Sequence, residues 1–296
     1  MKYTNKKIYL HLIGGLGNQL FQYACAKNLS LKLNAKLIID DSTGFKRDKH
    51  FKRKLELPSN LKYHKILFIE KIIFITLITI KKIFFKKKIY ISFGRNLIID
   101  ETRCNKFIKN FYKITNKFDK IYLIGFFQCE KYFIQNKNFI LNKILQNKIK
   151  SKKLQNLSKK INSNYLMIGM RFFEEAPVKI RNHFGGLEKI DFFNKSFLKF
   201  RKINKKIVPF IFTTLKNESV NKKIKFQKNF INSYNGYVGN SVEYLILMSN
   251  FKNFIISNSS YYWWAAYIGN YKGKCLTISS TKFTNKDTLN KFKFKF

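Results

Sequence analysis

Acidic residues are scarce in this sequence. Its 296 residues include 16 Asp and Glu against 59 Lys and Arg, which gives a formal net charge of +43. A charge of that size ordinarily indicates nucleic acid or an anionic membrane as a partner. Here it is mostly lysine spread along the whole chain, only seven residues are arginine, and the sequence has no arginine-rich patch or RNA-binding signature. We therefore interpret the charge as background composition and expect no nucleic-acid partner.

Paired cysteines and metal-binding acidic triplets are also absent from the sequence. The four cysteines lie far apart without a C-x-x-C spacing, which argues against a disulfide framework or a zinc ribbon and favours a reducing compartment. No Asp-x-Asp triplet occurs, and the adjacent Asp40 and Asp41 would point to opposite faces of a strand. We therefore expect no metal site. The cysteines are Cys25, Cys104, Cys129 and Cys275.

No apolar run is long enough to cross a membrane. The longest, Ile72–Ile80, has nine residues, whereas a spanning helix needs about 20. The lysine-flanked segment Lys65–Tyr90 could lie flat on a membrane, with lysines toward anionic lipid, or form a buried strand or helix with solvated ends. No secretory signal pattern follows Met1–Lys7. We expect a cytoplasmic protein with peripheral contact to the cytoplasmic face of an anionic membrane, to which the basic tail Lys291–Phe296 would contribute.

Short apolar stretches alternate with segments of helical spacing in both halves of the chain. This alternation is typical of α/β domains with parallel sheets. We predict two Rossmann-like α/β domains, residues 1–160 and 161–296, that face one cleft. The predicted strands are Ile8–Ile13, Lys36–Asp40, Ile121–Phe127, Tyr165–Met170, Ile207–Phe212, Asn253–Ile256 and Lys274–Ile278. The predicted helices are Leu20–Leu33, Ser241–Met248 and Tyr261–Ile268.

A glycine-rich segment, GGLGNQLFQYA at residues 14–24, separates the first predicted strand from the first predicted helix. Glycines there let backbone N–H groups approach an anion at the helix N-terminus. Asp40 lies at about the right distance along the chain to hold a ribose, which keeps a nicotinamide-dependent oxidoreductase open as an alternative. Against it, Leu20 stands where the third glycine of G-x-G-x-x-G belongs. The full string strongly resembles the N-terminal signature of the α-1,2-fucosyltransferases, glycosyltransferase family 11.

A second segment, SNSSYYWWAAY at residues 257–267, places hydroxyl and amide side chains at the start of a helix. Such a cap can present hydroxyls and N–H groups to a diphosphate. The segment is similar to a motif of the same family, S-N-S-S-F-S-W-W. We expect Trp263 and Trp264 to lie in the core.

A third segment places Arg171 and an acidic pair directly after the strand Tyr165–Met170. The family usually has His-x-Arg-Arg-x-Asp at this point. Laid on this chain, the pattern puts Gly169 at the histidine, Phe172 at the second arginine and Glu174 at the aspartate. One arginine and one acid therefore remain.

Two softer matches lie between these segments. Residues 125–133, GFFQCEKYF, are similar to the family's aromatic G-x-x-Q-x-x-x-Y-F segment. Glu243, within EYLILMSN, is similar to the family's lead-in to the serine-rich motif. The matches occur in the family's order and cover most of the chain.

The resemblance implies a GT-B-like fold and an inverting, metal-independent transfer of L-fucose from GDP-fucose to a galactose hydroxyl of a surface or lipid-linked glycan. It implies no cofactor other than this donor substrate. The N-terminal domain, with the glycine loop, would form the acceptor side, and the C-terminal domain the sugar-nucleotide side. Arg171 is expected to neutralise the leaving diphosphate. A basic nucleic-acid-binding protein is the second alternative.

The transfer also needs a base for the attacking hydroxyl. Glu174 follows Arg171 at a strand end, where α/β sites gather their residues. Glu175 and Asp191 are the alternatives. The expected substrate-binding residues are Gly14, Gly15, Gly17, Asn18, Gln19, Arg171, Thr213, Ser257, Asn258, Ser259 and Ser260.

Overall fold

The computed structural model describes residues 5–46, 48–174, 177, 187–222 and 224–291. The chain divides into two compact units. The N-terminal unit comprises Met1–Ile144 and Asn285–Thr288, and the C-terminal unit comprises Leu145–Thr284 and Leu289–Phe296.

A mostly parallel sheet forms the centre of the N-terminal unit. Its strands are β1 (Lys7–His11), β2 (Lys36–Asp40), β3 (His64–Lys65), β4 (Tyr90–Phe93), β5 (Asn96–Asp100) and β6 (Lys120–Ile124). Its helices are α1 (Leu16–Leu33), α2 (Thr43–Lys46), α3 (Phe68–Phe84), α4 (Phe111–Thr115) and α5 (Lys137–Leu145), with 3₁₀ turns at Glu130–Tyr132 and Ile134–Asn136. Within the described residues the strand order is β3-β2-β1-β6-β5-β4, and only the β4–β5 pair is antiparallel.

A second sheet, parallel throughout its described strands, forms the centre of the C-terminal unit. Its strands are β7 (Tyr165–Met170), β8 (Val208–Thr213), β9 (Asn229–Phe230), β10 (Asn253–Ile256) and β11 (Leu276–Ser279), in the order β11-β10-β7-β8-β9. Its helices are α6 (Lys152–Lys160), α7 (Ile190–Ile203), α8 (Asn217–Asn221), α9 (Ser241–Met248) and α10 (Ser260–Lys272), with a 3₁₀ segment at Ser233–Asn235. A last 3₁₀ segment, Lys286–Lys291, starts within Asn285–Thr288 of the N-terminal unit. The prediction of two Rossmann-like α/β domains is confirmed.

The boundary between the units lies before the predicted one at residue 160. Helix α6 belongs to the C-terminal unit because its residues form hydrogen bonds there. Asn250 Nδ2 donates to Ser158 Oγ at 2.6 Å, and the N–H of Ser151 donates to Glu243 Oε2 at 3.0 Å. These partners lie far along the chain, so the lysine-rich helix could not be assigned to its unit from local sequence.

Helix α1 begins at Leu16, before the predicted start at Leu20. The N–H groups of Asn18 and Gln19 donate to Gly15 O at 2.9 and 3.0 Å, which closes the first turn. Apolar spacing alone misses this turn because three of its four residues, Gly17, Asn18 and Gln19, are small or polar. Nine of the eleven residues of the glycine-rich segment, 16–24, are therefore helical.

Strand β6 ends at Ile124, although the apolar run continues to Phe127. Gly125 follows with φ +134°, and a Cβ at this position would lie 2.7 Å from Cβ of Glu101. The N–H groups of Phe126 and Phe127 donate to Glu101 Oε2 at 3.0 and 2.9 Å, and this carboxylate turns the chain out of the sheet.

The segment Lys65–Tyr90 contains helix α3, which is buried along one side. Phe74 and Ile78 pack on that side against Tyr9 and Tyr122 of the sheet, and the opposite side is exposed. Among the described helices, none combines the length and apolar character needed to cross a membrane. Residues 292–296 of the predicted lipid-facing tail lie outside the described residues.

Candidate functional site

Arg171 lies at the carboxyl edge of the C-terminal sheet, where the direction of strand succession reverses. From the central strand β7 the chain proceeds to β8 and β9 on one side, and it returns to β10 and β11 on the other. Ligands of open α/β sheets bind at such switch points, beyond the carboxyl ends of the strands. Arg171 follows β7, Thr214 follows β8 and Ser257 follows β10, so the three residues share this edge.

The predicted pair Arg171 and Glu174 is in direct contact. The guanidinium Nη1 of Arg171 donates to Glu174 Oε2 at 3.1 Å and to Thr214 Oγ1 at 3.4 Å. The Thr214 hydroxyl donates to the other carboxylate oxygen of Glu174. The N–H of Arg171 donates to Ser257 Oγ at 3.1 Å, which fixes the backbone of the arginine to the neighbouring strand end. Arg171 is only 8% exposed, so these contacts hold its charge in a defined place.

The two aromatic residues between Arg171 and Glu174 point to different places. Phe172, at the position of the family's second arginine, packs against the core of the C-terminal unit with its ring 6.1 Å from that of Phe193. Phe173 has φ +51°, a conformation that bulky residues seldom adopt. Its ring centroid lies 4.7 Å from Cζ of Arg171, a cation–π geometry. This turn directs Glu174 back onto the arginine.

The serine-rich segment joins β10 to helix α10 at the same sheet edge. Ser257 is fully buried, and Ser259 is 9% exposed. Ser260 opens the helix, and the N–H of Trp263 donates to Ser259 O at 2.9 Å. A helix N-terminus with hydroxyls beside an arginine is a favourable place for an anion. Trp263 and Trp264 are fully buried, which confirms the prediction that they lie in the core.

Two other predicted ligands form hydrogen bonds within the fold. Thr213 Oγ1 accepts from the N–H of Leu215 at 3.2 Å, and Asn258 Nδ2 donates to Lys282 O at 3.4 Å. Both residues nevertheless lie at the switch-point edge, Thr213 as the last residue of β8 and Asn258 as the second residue after β10. They remain predicted ligands.

In the N-terminal unit, the glycine-rich segment also follows a central strand at a switch point, between β1 and β6. Gly14 has φ +79°, and a Cβ there would lie 2.8 Å from Nδ2 of Asn18, so the position requires glycine. A Cβ at Gly15 would lie 3.6 Å from the guanidinium of Arg53. Asn18 Oδ1 accepts from Gln128 Nε2 at 2.7 Å, which connects the segment to the G-x-x-Q match.

The start of α1 already has internal hydrogen-bond partners. The N–H of Leu16 donates to Glu56 Oε2 at 3.1 Å. Gln19 is fully buried; its Nε2 donates to Gly14 O and its Oε1 accepts from the N–H of Glu56, at 2.8 and 2.9 Å. Gly17 is buried in the first turn. A carboxylate of the chain thus already accepts from one of the N–H groups at which an anionic ligand was expected. Gly14, Gly15, Gly17, Asn18 and Gln19 remain predicted ligands.

Asp40, the candidate ribose ligand of the oxidoreductase alternative, is held inside the unit. It is 1% exposed, and its carboxylate contacts His11 Nδ1 at 3.2 Å. Burial alone would raise the pKa of Asp40, but hydrogen bonds from His11, Thr43 and Ser42 outweigh it and lower the pKa to about 2. The carboxylate is therefore ionised, satisfied and closed to a nucleotide, which argues against the oxidoreductase.

The other candidate bases are placed differently from Glu174. Glu175 lies outside the described residues. Asp191 is exposed at the start of α7 and forms an ion pair with Lys195 at 2.7 Å.

Glu243, the acid that precedes the serine-rich motif, accepts from the N–H groups of Lys150 and Ser151 at 3.0 Å each and so caps the N-terminal end of α6. In the part of the chain that the structure describes, no group of three or more His, Cys, Asp or Glu side chains could hold a metal ion.

Thr214 and Phe173 also belong to this site, although neither was predicted. A usable signal existed for Thr214, since the pair Thr213-Thr214 ends a strand and successive residues point to opposite faces. The placement of Phe173 under the guanidinium depends on its positive φ, which no local pattern indicates.

Comparison with known proteins agrees with these motifs. The sequence model of Glycosyl transferase family 11 matches residues 7–294. The O-antigen biosynthesis glycosyltransferase WbnK of Escherichia coli is 26% identical over 93% of this chain and 94% of its own length. An α-1,2-colitosyltransferase of Escherichia coli is 27% identical over 96% and 95%. A solved structure of an Arabidopsis thaliana FUT1 mutant in complex with GDP covers 93% of this chain and 70% of its own chain, at 10% identity and a TM-score of 0.48.

Proposed function

The chain belongs to glycosyltransferase family 11, and from this premise we propose that it transfers L-fucose from GDP-fucose to a galactose hydroxyl of a glycan. The proposed product has an α-1,2 linkage and inverted configuration at the anomeric carbon. The observation that carries the proposal is the contact of Arg171 with Glu174 at the switch point of the C-terminal sheet. An arginine and a carboxylate at one point supply both the cation and the base that the reaction requires.

Arg171 is proposed to bind the donor diphosphate. Its planar guanidinium presents donors in a fixed fork that matches two phosphate oxygens. The hydroxyls of Ser259 and Ser260 and the N-terminus of α10 lie at the same sheet edge and favour negative charge. The role of Ser257 is to position the arginine, since its hydroxyl accepts from the Arg171 backbone.

Binding of the diphosphate would change the partner of Glu174. In the structure, the Glu174 carboxylate accepts from Nη1 of Arg171 and from the hydroxyl of Thr214. The same Nη1 also donates to Thr214 Oγ1. A diphosphate that takes over the guanidinium competes with this ion pair and releases the carboxylate toward the acceptor. Donor binding would thereby prepare the base before the acceptor reacts.

The proposed transfer is a single displacement. Glu174 takes the proton of the acceptor hydroxyl, and the hydroxyl oxygen forms a bond to the anomeric carbon of fucose. The bond from that carbon to the diphosphate oxygen breaks, GDP leaves with the electron pair, and Arg171 stabilises the charge that develops. Metal independence is part of the proposal, since the arginine and the helix N-terminus take the role that a divalent cation has in other sugar transferases.

The experiment is incubation with GDP-fucose and a panel of galactose-terminated acceptors, with products identified by mass spectrometry and linkages by NMR. Nucleotide-activated colitose is included as a second donor because one relative is an α-1,2-colitosyltransferase. Transfer that continues in EDTA, with inversion, supports the proposal. If only colitose is transferred, the donor is nucleotide-activated colitose and not GDP-fucose. Activity that EDTA abolishes and manganese restores would contradict the metal-independent mechanism.

A further inference from the structure

The outer side of helix α3 is apolar and exposed to solvent. Phe68 is 77% exposed, Ile69 72%, Ile72 50%, Ile73 48% and Phe84 72%. The spacing places these residues on one face of the helix, together with Ile83, which is 58% exposed. An exposed apolar face of several turns is unusual on a soluble protein and marks an interaction surface.

Three of the four charged residues of α3 do not reach this face, because they form bonds within the unit. Glu70 accepts from Lys7 Nζ at 3.0 Å and from the Tyr9 hydroxyl at 2.8 Å. Lys71 Nζ donates to the Ser42 hydroxyl at 2.6 Å. Lys81, which is 2% exposed, forms an ion pair with Asp100 at 2.9 Å. These bonds, with the packing of Phe74 and Ile78, fix which side of the helix faces outward.

Lysines frame the apolar face at its two ends. The side chain of Lys65, before the helix, is 76% exposed and pairs with Asp41 at 3.5 Å. Lys82, Lys86, Lys87 and Lys88 are exposed at and beyond the C-terminal end of the helix. Exposed apolar residues continue past these lysines to the edge strand β4, with Ile89, Tyr90 and Phe93 exposed by 42, 48 and 41%. The frame therefore has one sign of charge, and an aromatic ring lies at each end of the helix.

We propose that the outer face of α3 lies in the surface of a membrane that contains anionic lipids, with the helix axis parallel to the membrane plane. Apolar side chains would enter the boundary between headgroups and acyl chains, and the lysines would contact lipid phosphates. Aromatic side chains are favoured at this depth. The helix has 17 residues and serves as an interfacial element only. This proposal does not depend on the identity of the donor or of the base.

Charge argues for lipid over a second copy of the chain as the occupant. Association through this face would bring together two chains with a formal net charge of +43 each and two lysine frames. An anionic membrane, in contrast, complements both the apolar face and the lysines. A glycan acceptor carried on a lipid would be presented at the same surface.

The test is sedimentation of the full chain with vesicles of phosphatidylcholine alone and of phosphatidylcholine with phosphatidylglycerol, at low and high salt. Binding is expected to the anionic vesicles at low salt and to weaken at high salt. The double variant Phe68→Ser/Ile72→Ser should bind about tenfold or more weakly, since it removes two exposed apolar side chains from the interface. The variant Lys82→Gln/Lys86→Gln/Lys87→Gln/Lys88→Gln should lose about a hundredfold or more at low salt.

A matched control removes the same charge elsewhere. In the C-terminal unit, Lys202, Lys205, Lys206 and Lys222 are also exposed, and changing all four to Gln should have little effect on vesicle binding. A tryptophan introduced by Ile72→Trp gives a second readout, because both native tryptophans are fully buried. Its emission should shift to the blue with anionic vesicles and be quenched by brominated lipid.

Three outcomes would overturn the proposal. The first is no binding to anionic vesicles at low salt. The second is an equal loss of binding in the two lysine variants, which would indicate a diffuse charge effect. The third is a dimer that Phe68→Ser/Ile72→Ser dissociates in the absence of lipid, which would assign the face to a second copy of the chain.

Discussion

Gly169 leaves the space that the ring of Tyr262 occupies. A Cβ at position 169 would lie 2.6 Å from Cδ2 of Tyr262, and the Tyr262 hydroxyl donates to Phe212 O at 2.9 Å at the end of the neighbouring strand. The family pattern has histidine at the first position and serine at the second. The two departures from the pattern therefore meet in space.

This relationship predicts that the two positions are energetically coupled. Gly169→Ala should lower the free energy of unfolding by about 3 kcal/mol, because the tyrosine ring has no room to move away. In a Tyr262→Ala background the same change should cost less than about 1 kcal/mol. Urea unfolding of the two single variants and the double variant measures the coupling. Tyr261 is not among the nearest neighbours of position 169. In a Tyr261→Ala background, Gly169→Ala should therefore still cost about 3 kcal/mol.

Arg171→Lys should lower kcat by roughly 10²–10³-fold, because a lysine cannot reproduce the forked contact with a departing diphosphate. Arg201→Lys is the matched control, since Arg201 is exposed at the end of α7. Steady-state rates with GDP-fucose and the best acceptor provide the measurement. An unchanged kcat in Arg171→Lys would indicate that Arg171 has a structural role and does not stabilise the departing diphosphate.

Glu174→Gln should slow transfer while leaving GDP-fucose binding nearly intact, because the amide keeps the shape of the carboxylate but cannot take a proton. Calorimetric titration with the donor and single-turnover transfer separate the two effects. If Glu174→Gln turns over as fast as the unaltered enzyme, Glu174 is not the base, and Glu175 and Asp191 become the candidates.

Glu101 gives the N-terminal unit a pH dependence of its own. Burial raises the pKa of this carboxyl from 4.5 to about 7, against hydrogen bonds from Phe127, Phe126 and Asn285 that lower it. Because the pKa is higher in the folded state, the stabilising contribution is complete below about pH 4.5 and is lost as the pH rises through 7. The loss amounts to about 3 kcal/mol.

Glu101→Gln should remove this dependence, so that its stability relative to the unaltered protein rises between pH 5 and 8. Unfolding by urea at several pH values measures the difference. Glu218→Gln, a change at an exposed acid, is the control. Parallel pH profiles for the unaltered protein and Glu101→Gln would contradict the assignment.

The buried pair Lys81 and Asp100 should respond more strongly to the loss of one member than to the loss of both. Lys81→Met leaves the 6% exposed Asp100 without its cation and should cost about 3–5 kcal/mol. The double variant Lys81→Met/Asp100→Leu should recover most of that loss. Lys82→Met, at the exposed neighbour, is the control in the same urea titrations, and a double variant no more stable than Lys81→Met would contradict the expectation.

Strands were the part of the fold that local sequence predicted well. Lys36–Asp40, Tyr165–Met170 and Asn253–Ile256 match the observed bounds. These strands are buried on both faces of parallel sheets, so each appears in the sequence as a continuous apolar run. Trp263 and Trp264 were placed in the core as part of an aromatic helix.

Contacts between distant residues were the part that sequence could not supply. Glu56 lies 40 residues from Leu16, whose N–H it accepts, and this contact changes the interpretation of the glycine-rich segment. The site in the C-terminal unit was found only because its residues follow the strands that meet at the switch point. Thr214 belongs to the site because of the direction of its side chain, and Phe173 because of its positive φ. Residue spacing in the sequence indicates neither feature.

The short return of the chain to the N-terminal unit, Asn285–Thr288, determines when that unit can be completed. Asn285 Nδ2 donates to Glu101 Oε1 at 3.4 Å, and the N–H of Phe107 donates to Asp287 Oδ2 at 2.8 Å. During synthesis the C-terminal sheet is therefore fully translated before the N-terminal unit receives these hydrogen-bond partners. A ribosome-bound chain ending at residue 284 has an unfinished first half, although that half left the ribosome earlier. Any fragment designed to isolate the N-terminal unit must carry residues 285–288 as a graft.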